Sequence, residues 1–216
     1  MWVTHVLKKN NKILPDMPFT GKELGLKLLK ENQLENVLIE SIHQADHYNP
    51  IEKKVRISQD KLNKKSITSI AVVAHEIGHA IQDKENYKPL LLRQKLIEKT
   101  MIFQRIGSFL LIIGLPSIFA ITKSPFITFI AAIIIMGCLS TNVLIHLITL
   151  PVEFDASFKR ALPILQKYVP KENMRQCRSV LRAAAFTYLA QSIVSIFRLK
   201  VILFSFINIL KSIIRR

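Results

Sequence analysis

Two imidazoles and a carboxylate stand together in Ala71-Val-Val-Ala-His75-Glu76-Ile-Gly-His79-Ala80. Histidines at i and i+4 of a helix project from one face, so a divalent metal can sit between His75 and His79. Glu76, about 100° round the helix from His75, can reach a metal-bound water without itself being a ligand. Neutral imidazoles hold Zn²⁺ without cancelling its charge, leaving it acidic enough to bring the pKa of bound water toward ~7 and to polarise a peptide carbonyl. Glu76 then takes the proton of that water and passes it to the leaving amine. Small residues at Ala71, Ala74, Gly78 and Ala80 allow close packing round such a helix. The chemistry this implies is hydrolysis of a peptide bond by one zinc ion.

A pair of histidines does not close a catalytic zinc site; a third protein ligand is needed, with the fourth position left for water. No histidine lies between His79 and the apolar run that begins near Ile106, and the acids there, Asp83, Glu85 and Glu98, sit at the exit of the zinc helix or on a basic helix. Directly after the apolar residues comes Leu150-Pro-Val-Glu153-Phe-Asp155-Ala-Ser157, where Pro151 is expected to begin a new helix carrying Glu153. Glu153 is the preferred third ligand and Asp155 the alternative. Other polar residues carry two readings each. His47 can line a substrate cleft or simply be solvated in a turn. Tyr188 can donate to a tetrahedral oxyanion or only pack. Asn142 and His146, one turn apart in an apolar run, are expected to touch across a helical hairpin.

The elements that must position these groups are readable in outline. Thr20 followed by Glu23 resembles a capping box, and Leu24, Leu28, Leu29 and Leu34 recur at helical spacing, so a helix is expected over residues 20–32. Val37 to Ile42 reads as a strand, Asp46-His-Tyr-Asn-Pro50 as a turn and Lys54 to Ser58 as a second strand. Val55 to Ser58 is either the edge along which an extended peptide pairs or part of an ordinary hairpin. The zinc helix is expected over 66–83, followed by an exit loop at 84–89 and a basic helix at 90–105.

Half of the residues are apolar, and they are unevenly spread. Ile106 to Ile121 and Phe126 to Leu150 are almost wholly apolar, broken by Thr122, Lys123, Ser124 and Pro125. Two membrane spans back to back explain this best, the first short and kinked at Pro116; a buried hairpin would have to be wrapped by a remainder too small and too polar to do so. A membrane hairpin returns the chain to the side it left, which brings Glu153 within reach of the histidines. The formal net charge of +16 carries no nucleic-acid-binding signature with it. Its basic residues flank the apolar segments, from Lys84 to Arg105 before and from Lys159 to Arg182 after, while the turn holds only Lys123. The positive-inside rule then places the catalytic portion in the cytoplasm, held partly by anionic lipid headgroups. Cys138 and Cys177 give no disulfide framework. Met1 to Leu7 is too short for a signal sequence and His5, Lys8 and Lys9 interrupt it, so targeting is expected from the internal spans.

The expected organisation is residues 1–105 as the N-terminal part of a metallopeptidase domain, 106–150 as a transmembrane hairpin (106–122 and 126–150), 151–182 as the third-ligand helix and the rest of that domain, and 183–216 as an amphipathic or membrane-associated helix. Thr187, Gln191, Ser195, Arg198, Ser205, Asn208, Ser212 and Arg215 draw one polar stripe along the last of these. An interfacial or bundle-packed helix is preferred over a third span, which would put Arg198 and Lys200 in lipid and carry Lys211, Arg215 and Arg216 outside.

Several stretches of the chain resemble a bacterial family of neutral zinc metallopeptidases of the membrane, the YugP-like zinc peptidases. They are Asp46-His-Tyr-Asn-Pro50, Val55-Arg-Ile-Ser58, Ala71 to Asp83, Tyr87-Lys-Pro-Leu90, Thr149-Leu-Pro-Val-Glu-Phe-Asp-Ala-Ser157 and Ala183-Ala-Ala-Phe-Thr-Tyr188. The resemblance covers most of residues 20–190. It implies a mainly α fold with a small β element (α+β), a zincin-like H-E-x-x-H domain interrupted by a transmembrane helical hairpin. It also implies a multi-pass endopeptidase of the bacterial inner membrane that acts on protein or peptide substrates. Family members usually begin with a further transmembrane segment, which is not evident here, so anchoring is expected to rest on the hairpin. More distant membrane proteases carry an aspartate four positions after the glutamate ligand, where this chain has Ser157 and instead places Asp155 two positions on. Either of these, with His47 and Tyr188, is a candidate for orienting ligands or substrate.

Two other functions compete. In an intramembrane protease the zinc helix would itself be a span, but its apolar run from Ile67 to Ile81 is short and flanked by Lys64, Lys65, Asp83 and Lys84. In a non-catalytic membrane scaffold that keeps the zinc site, the base at Glu76 would have no reason to be intact.

Overall fold

The computed structural model describes residues 2–214; the side chains of Asn142, Leu144, Leu199, Phe206 and residues 209–214 lie outside the description. The chain is mostly helical with one small sheet, and its internal packing divides it into two units, Met1–Leu91 with Thr149–Thr187 and Leu92–Ile148 with Tyr188–Arg216.

The first unit is built round the helix that carries both histidines. It opens with α1 (Trp2–Lys9) and α2 (Gly21–Glu31). Thr20 caps α2: its hydroxyl accepts from the Glu23 N–H at 3.2 Å, and the Glu23 carboxylate accepts from the Thr20 N–H at 2.8 Å. Leu24, Leu28 and Leu29 then fall on one buried stripe against α4 (Ile67–Lys84). Ser66 caps α4 by accepting from the Ser69 N–H at 3.1 Å. Every residue from Ile67 to Gln82 is buried. A helix enclosed all round must satisfy its polar side chains internally, which concentrates any ionisable group on it into specific partnerships.

The sheet comprises β1 (Leu38–Ile42), β2 (His47–Asn49) and β3 (Lys54–Ser58) in the order β1-β3-β2. β1 runs parallel to β3, with Leu38 opposite Lys54 and Ile42 opposite Ser58, and β2 runs antiparallel to it, with Tyr48 opposite Val55. One expectation is corrected here and one pair of alternatives is decided. Residues 46–50 are not simply a turn, because the Asn49 side chain moves the reversal one step on: its Oδ1 accepts from the N–H groups of Ile51 at 3.0 Å and Glu52 at 3.1 Å, which frees His47–Asn49 to pair. Val55–Ser58 is not an edge for a substrate either, since β3 lies in the middle of the sheet. The outer strands are β1 and β2.

α5 (Lys88–Phe109), a π-helical segment Leu110–Gly114 and α6 (Leu115–Thr122) form one helical run. Pro116 has no N–H for the Ile112 carbonyl, and the ladder widens in the turn ahead of it rather than breaking. A turn with Lys123 at φ 49° leads into α7 (Pro125–Phe154), which is followed by a second π-helical segment, Asp155–Ala161, and by α8 (Leu162–Tyr168). Pro151 therefore lies inside α7 and starts no helix, contrary to the expectation from sequence. Within the second unit Leu115, Ala132 and Ile135 form a small buried cluster, and a Cβ on Gly107 would stand 2.9 Å from that of Cys138, so α5 and α7 approach closely there.

α9 (Met174–Ala185) covers α4 in the first unit, and α10 (Thr187–Ile214) follows. At 1.5 Å per residue α10 is about 42 Å long, and Ile193, Val194, Ile196, Phe197, Val201 and Phe204 are all exposed on it. The run Lys171–Ser205, which takes in α9 and the first part of α10, is by length and composition a third helix apolar enough to cross a membrane, where the sequence reading preferred an interfacial helix for residues 183–216. Of the polar stripe read there, Arg215 and the side chain of Ser212 lie outside the described residues. Both cysteines are free thiols.

Candidate metal centre

His75 and His79 lie one turn apart on α4 with ring centroids 4.7 Å apart. The last turn of α7 brings Glu153 to them: its Oε2 is 3.2 Å from His75 Nε2 and 3.3 Å from His79 Nε2. All three side chains are buried, Glu153 at 2% exposure. Ligands at about 2.0–2.1 Å from a tetrahedral zinc ion stand about 3.3 Å from one another, which matches both contacts. A ring nitrogen with its lone pair forward and a carboxylate oxygen repel at such a distance unless a cation lies between them. The donor set and its spacing fit zinc.

The approach of α7 depends on a missing side chain. Gly78 faces Ala156 in the π-helical segment, where a Cβ would meet the Ala156 carbonyl oxygen at 2.8 Å. Asp155 is not among the metal-facing groups; its Oδ2 accepts from Gln82 Nε2 at 2.8 Å and from Arg160 Nε at 2.7 Å. Ser157 Oγ lies 2.9 Å from His75 Nδ1, and Gln82 Oε1 lies 2.9 Å from His79 Nδ1, so each histidine is held from behind. His47 sits on β2 with its Nδ1 2.9 Å from the Ala45 carbonyl oxygen. Tyr188 belongs to the second unit, where its hydroxyl accepts from Arg93 at 2.9 Å and its ring lies 6.0 Å from that of His146. The side chain of Asn142 is outside the described residues. Gln82 and Arg160 were not anticipated from the sequence. Gln82 had a signal, being three residues after His79 and hence on the same face of the helix.

The family profile described as "Putative neutral zinc metallopeptidase" matches residues 1–207 of the chain. The chain belongs to this family. A relative from Bacillus subtilis (strain 168), "Putative membrane protease YugP", is 31% identical over 214 residues, covering 96% of this chain and 91% of the relative. No solved structure matches the chain.

The carboxylates at the centre of this zinc metallopeptidase family member have opposite electrostatic surroundings. Burial pushes Glu76 up to about 7; His75 and the Tyr48 backbone N–H work against the rise, and the carboxylates of Glu153 and Asp46 add to it. Burial also works to raise Glu153, but in the metal-free protein charge and hydrogen bonds from the two imidazoles facing it outweigh burial and hold it well below the usual carboxylate range. Asp155 is likewise held low against burial, by its hydrogen bonds from Gln82 and Arg160. One carboxyl is thus poised to exchange a proton near neutral pH, and the one between the imidazoles stays ionised.

Proposed function

We propose that the chain is an integral membrane endopeptidase in which His75, His79 and Glu153 hold one zinc ion and Glu76 is the general base. The observation that carries this reading is the buried Glu153 oxygen at ligand–ligand distance from both Nε2 atoms, with Glu76 next to His75 on the same helix. The ion would supply a Lewis acid that activates water and polarises the scissile carbonyl. Glu76 accepts the proton of the attacking water on a carboxylate oxygen and delivers it to the nitrogen of the leaving amine, returning to its starting form. Its elevated pKa suits a group that must both take and give that proton.

The substrate backbone lies along β2 in this reading. β2 is an outer strand, it packs on α4, and its Tyr48 N–H lies close enough to Glu76 to lower that carboxyl's pKa. An extended peptide added to this edge would pass the metal centre. The catalytic unit faces the cytoplasm and anionic lipid. In support, Lys171, Arg175, Arg178 and Arg182 are exposed at spacings that align them on one face at the α9 end of the chain.

Hydrolysis of fluorescent casein in detergent, together with zinc analysis, tests the assignment. Wild type should carry one zinc ion and cut casein, and Glu76→Gln should keep the zinc and lose the cutting. A wild-type protein that binds zinc without hydrolysis would instead be the non-catalytic scaffold. A reporter fused at Ser124 should read out on the side opposite the catalytic unit.

A further inference from the structure

We propose that Gln82 is a positioning residue that locks the tautomer of His79, and that the Asp155–Arg160 ion pair locks Gln82 in turn; this rests on the reading of His79 as a metal ligand. Gln82 is fully buried, and its amide has two N–H groups with two partners. Nε2 donates to the Val152 carbonyl at 2.9 Å and to Asp155 Oδ2 at 2.8 Å. Both partners are acceptors only, since the Asp155 carboxylate also accepts from Arg160 Nε at 2.7 Å. Turning the amide over would place its oxygen against two others. Gln82 Oε1 must therefore be the atom 2.9 Å from His79 Nδ1. A carbonyl oxygen can only accept, so the proton of a neutral His79 resides on Nδ1 and the lone pair on Nε2, the atom that faces Glu153.

His75 is treated differently. Its Nδ1 meets the Ser157 hydroxyl, which can donate or accept and so permits either tautomer. Only His79 is held by a chain whose polarity is fixed from its far end. That end is anchored too: the Arg160 guanidinium also pairs with Glu85 at 2.9 Å and lies over the Tyr87 ring at 5.7 Å, both in the turn that leaves α4.

The test removes the acceptor behind His79. Gln82→Leu leaves Nδ1 without that acceptor, so the His79 proton is free to sit on either nitrogen. The expected results are loss of a single Nδ1–H signature, read from ¹⁵N–¹H spectra of the metal-free full chain in detergent, and a fall in zinc affinity of about 10–100-fold, read by chelator competition. Asp155→Ala removes one of the two acceptors that orient the amide and should move both readouts in the same direction by less. Gln82→Glu keeps an oxygen facing Nδ1 and should retain the Nδ1–H signature, a rescue that a merely structural role for Gln82 does not predict. The proposal is overturned if Gln82→Leu leaves the His79 proton on Nδ1 with affinity within about twofold of wild type, or if Gln82→Glu, melting like wild type, loses the Nδ1–H signature as Gln82→Leu does. Failure of the wild type to bind zinc would sink the functional assignment, while the spectra of the metal-free protein would still decide the relay.

Discussion

Gly78 on α4 and Ala156 in the π-helical segment after α7 stand so close that a Cβ on Gly78 would meet the Ala156 carbonyl oxygen at 2.8 Å. This approach sets the distance at which Glu153 meets the histidines, because Glu153 is three residues ahead of Ala156 on the same helical run. Gly78→Ala should force the two apart at a cost of about 1–3 kcal/mol and loosen the zinc site. Thermal unfolding with zinc analysis of the purified variant checks this; a variant with wild-type stability and wild-type zinc content would show that the contact does not set the site.

The Glu76 carboxyl gives the metal-free protein a definite pH dependence. Its folded-state value of about 7 lies above the ordinary 4.5, so between those limits the folded chain keeps a proton that the unfolded chain has released. Stability should therefore fall as pH rises from about 4.5 to about 7 and level off above, by on the order of 3 kcal/mol. Glu153 acts in the other direction and outside this window: its contribution is complete above the ordinary carboxylate value and is lost as pH falls below it. Denaturant midpoints of metal-free wild type and Glu76→Gln across this range should diverge, with the variant nearly flat. Parallel curves would place the buried proton elsewhere.

Asp83 ties β2, the strand proposed to take the substrate, to α4. Its Oδ2 accepts from the Tyr48 hydroxyl and the Lys53 ammonium, each at 2.6 Å, so one carboxylate near the end of α4 holds both β2 and the residue that leads into β3. Charge-assisted bonds of this kind contribute about 1.5–3 kcal/mol. Asp83→Ala should keep its zinc and lower kcat/KM on peptides by roughly tenfold. Loss of zinc in this variant would mean that Asp83 supports the metal centre rather than the substrate strand.

How far the sequence exposes this architecture depends on the range of the interactions involved. The histidine pair is readable because both residues lie on one helix, where spacing alone decides which face they share. The α2 cap is equally local, the Thr20–Glu23 pairing needing only its own turn. β2 is obscured because Asn49-Pro50 carries a strong turn signal, and only the Asn49 hydrogen bonds to Ile51 and Glu52 show that the reversal begins at Asn49 and not before it. The Asp155–Arg160 pair is hidden for a different reason. An α-helix pairs residues three or four apart, whereas the wider π-helical turn at Asp155–Ala161 brings residues five apart together. The expectation of a helix starting at Pro151 fails because α7 runs through that residue to Phe154. Composition marks α10 as apolar while its polar stripe invites an interfacial assignment, and the length and composition of the run Lys171–Ser205 also suit a span, because neither reading is decided by interactions local to the chain.

The zinc content of Glu153→Ala, measured beside that of wild type and of Glu76→Gln after identical purification, tests the account most directly. Glu153 is buried between two imidazoles with its oxygen 3.2 Å and 3.3 Å from their Nε2 atoms, so removing it should abolish stoichiometric zinc while Glu76→Gln retains it. A folded Glu153→Ala protein that still carries one zinc ion would contradict the assignment and require a different third ligand.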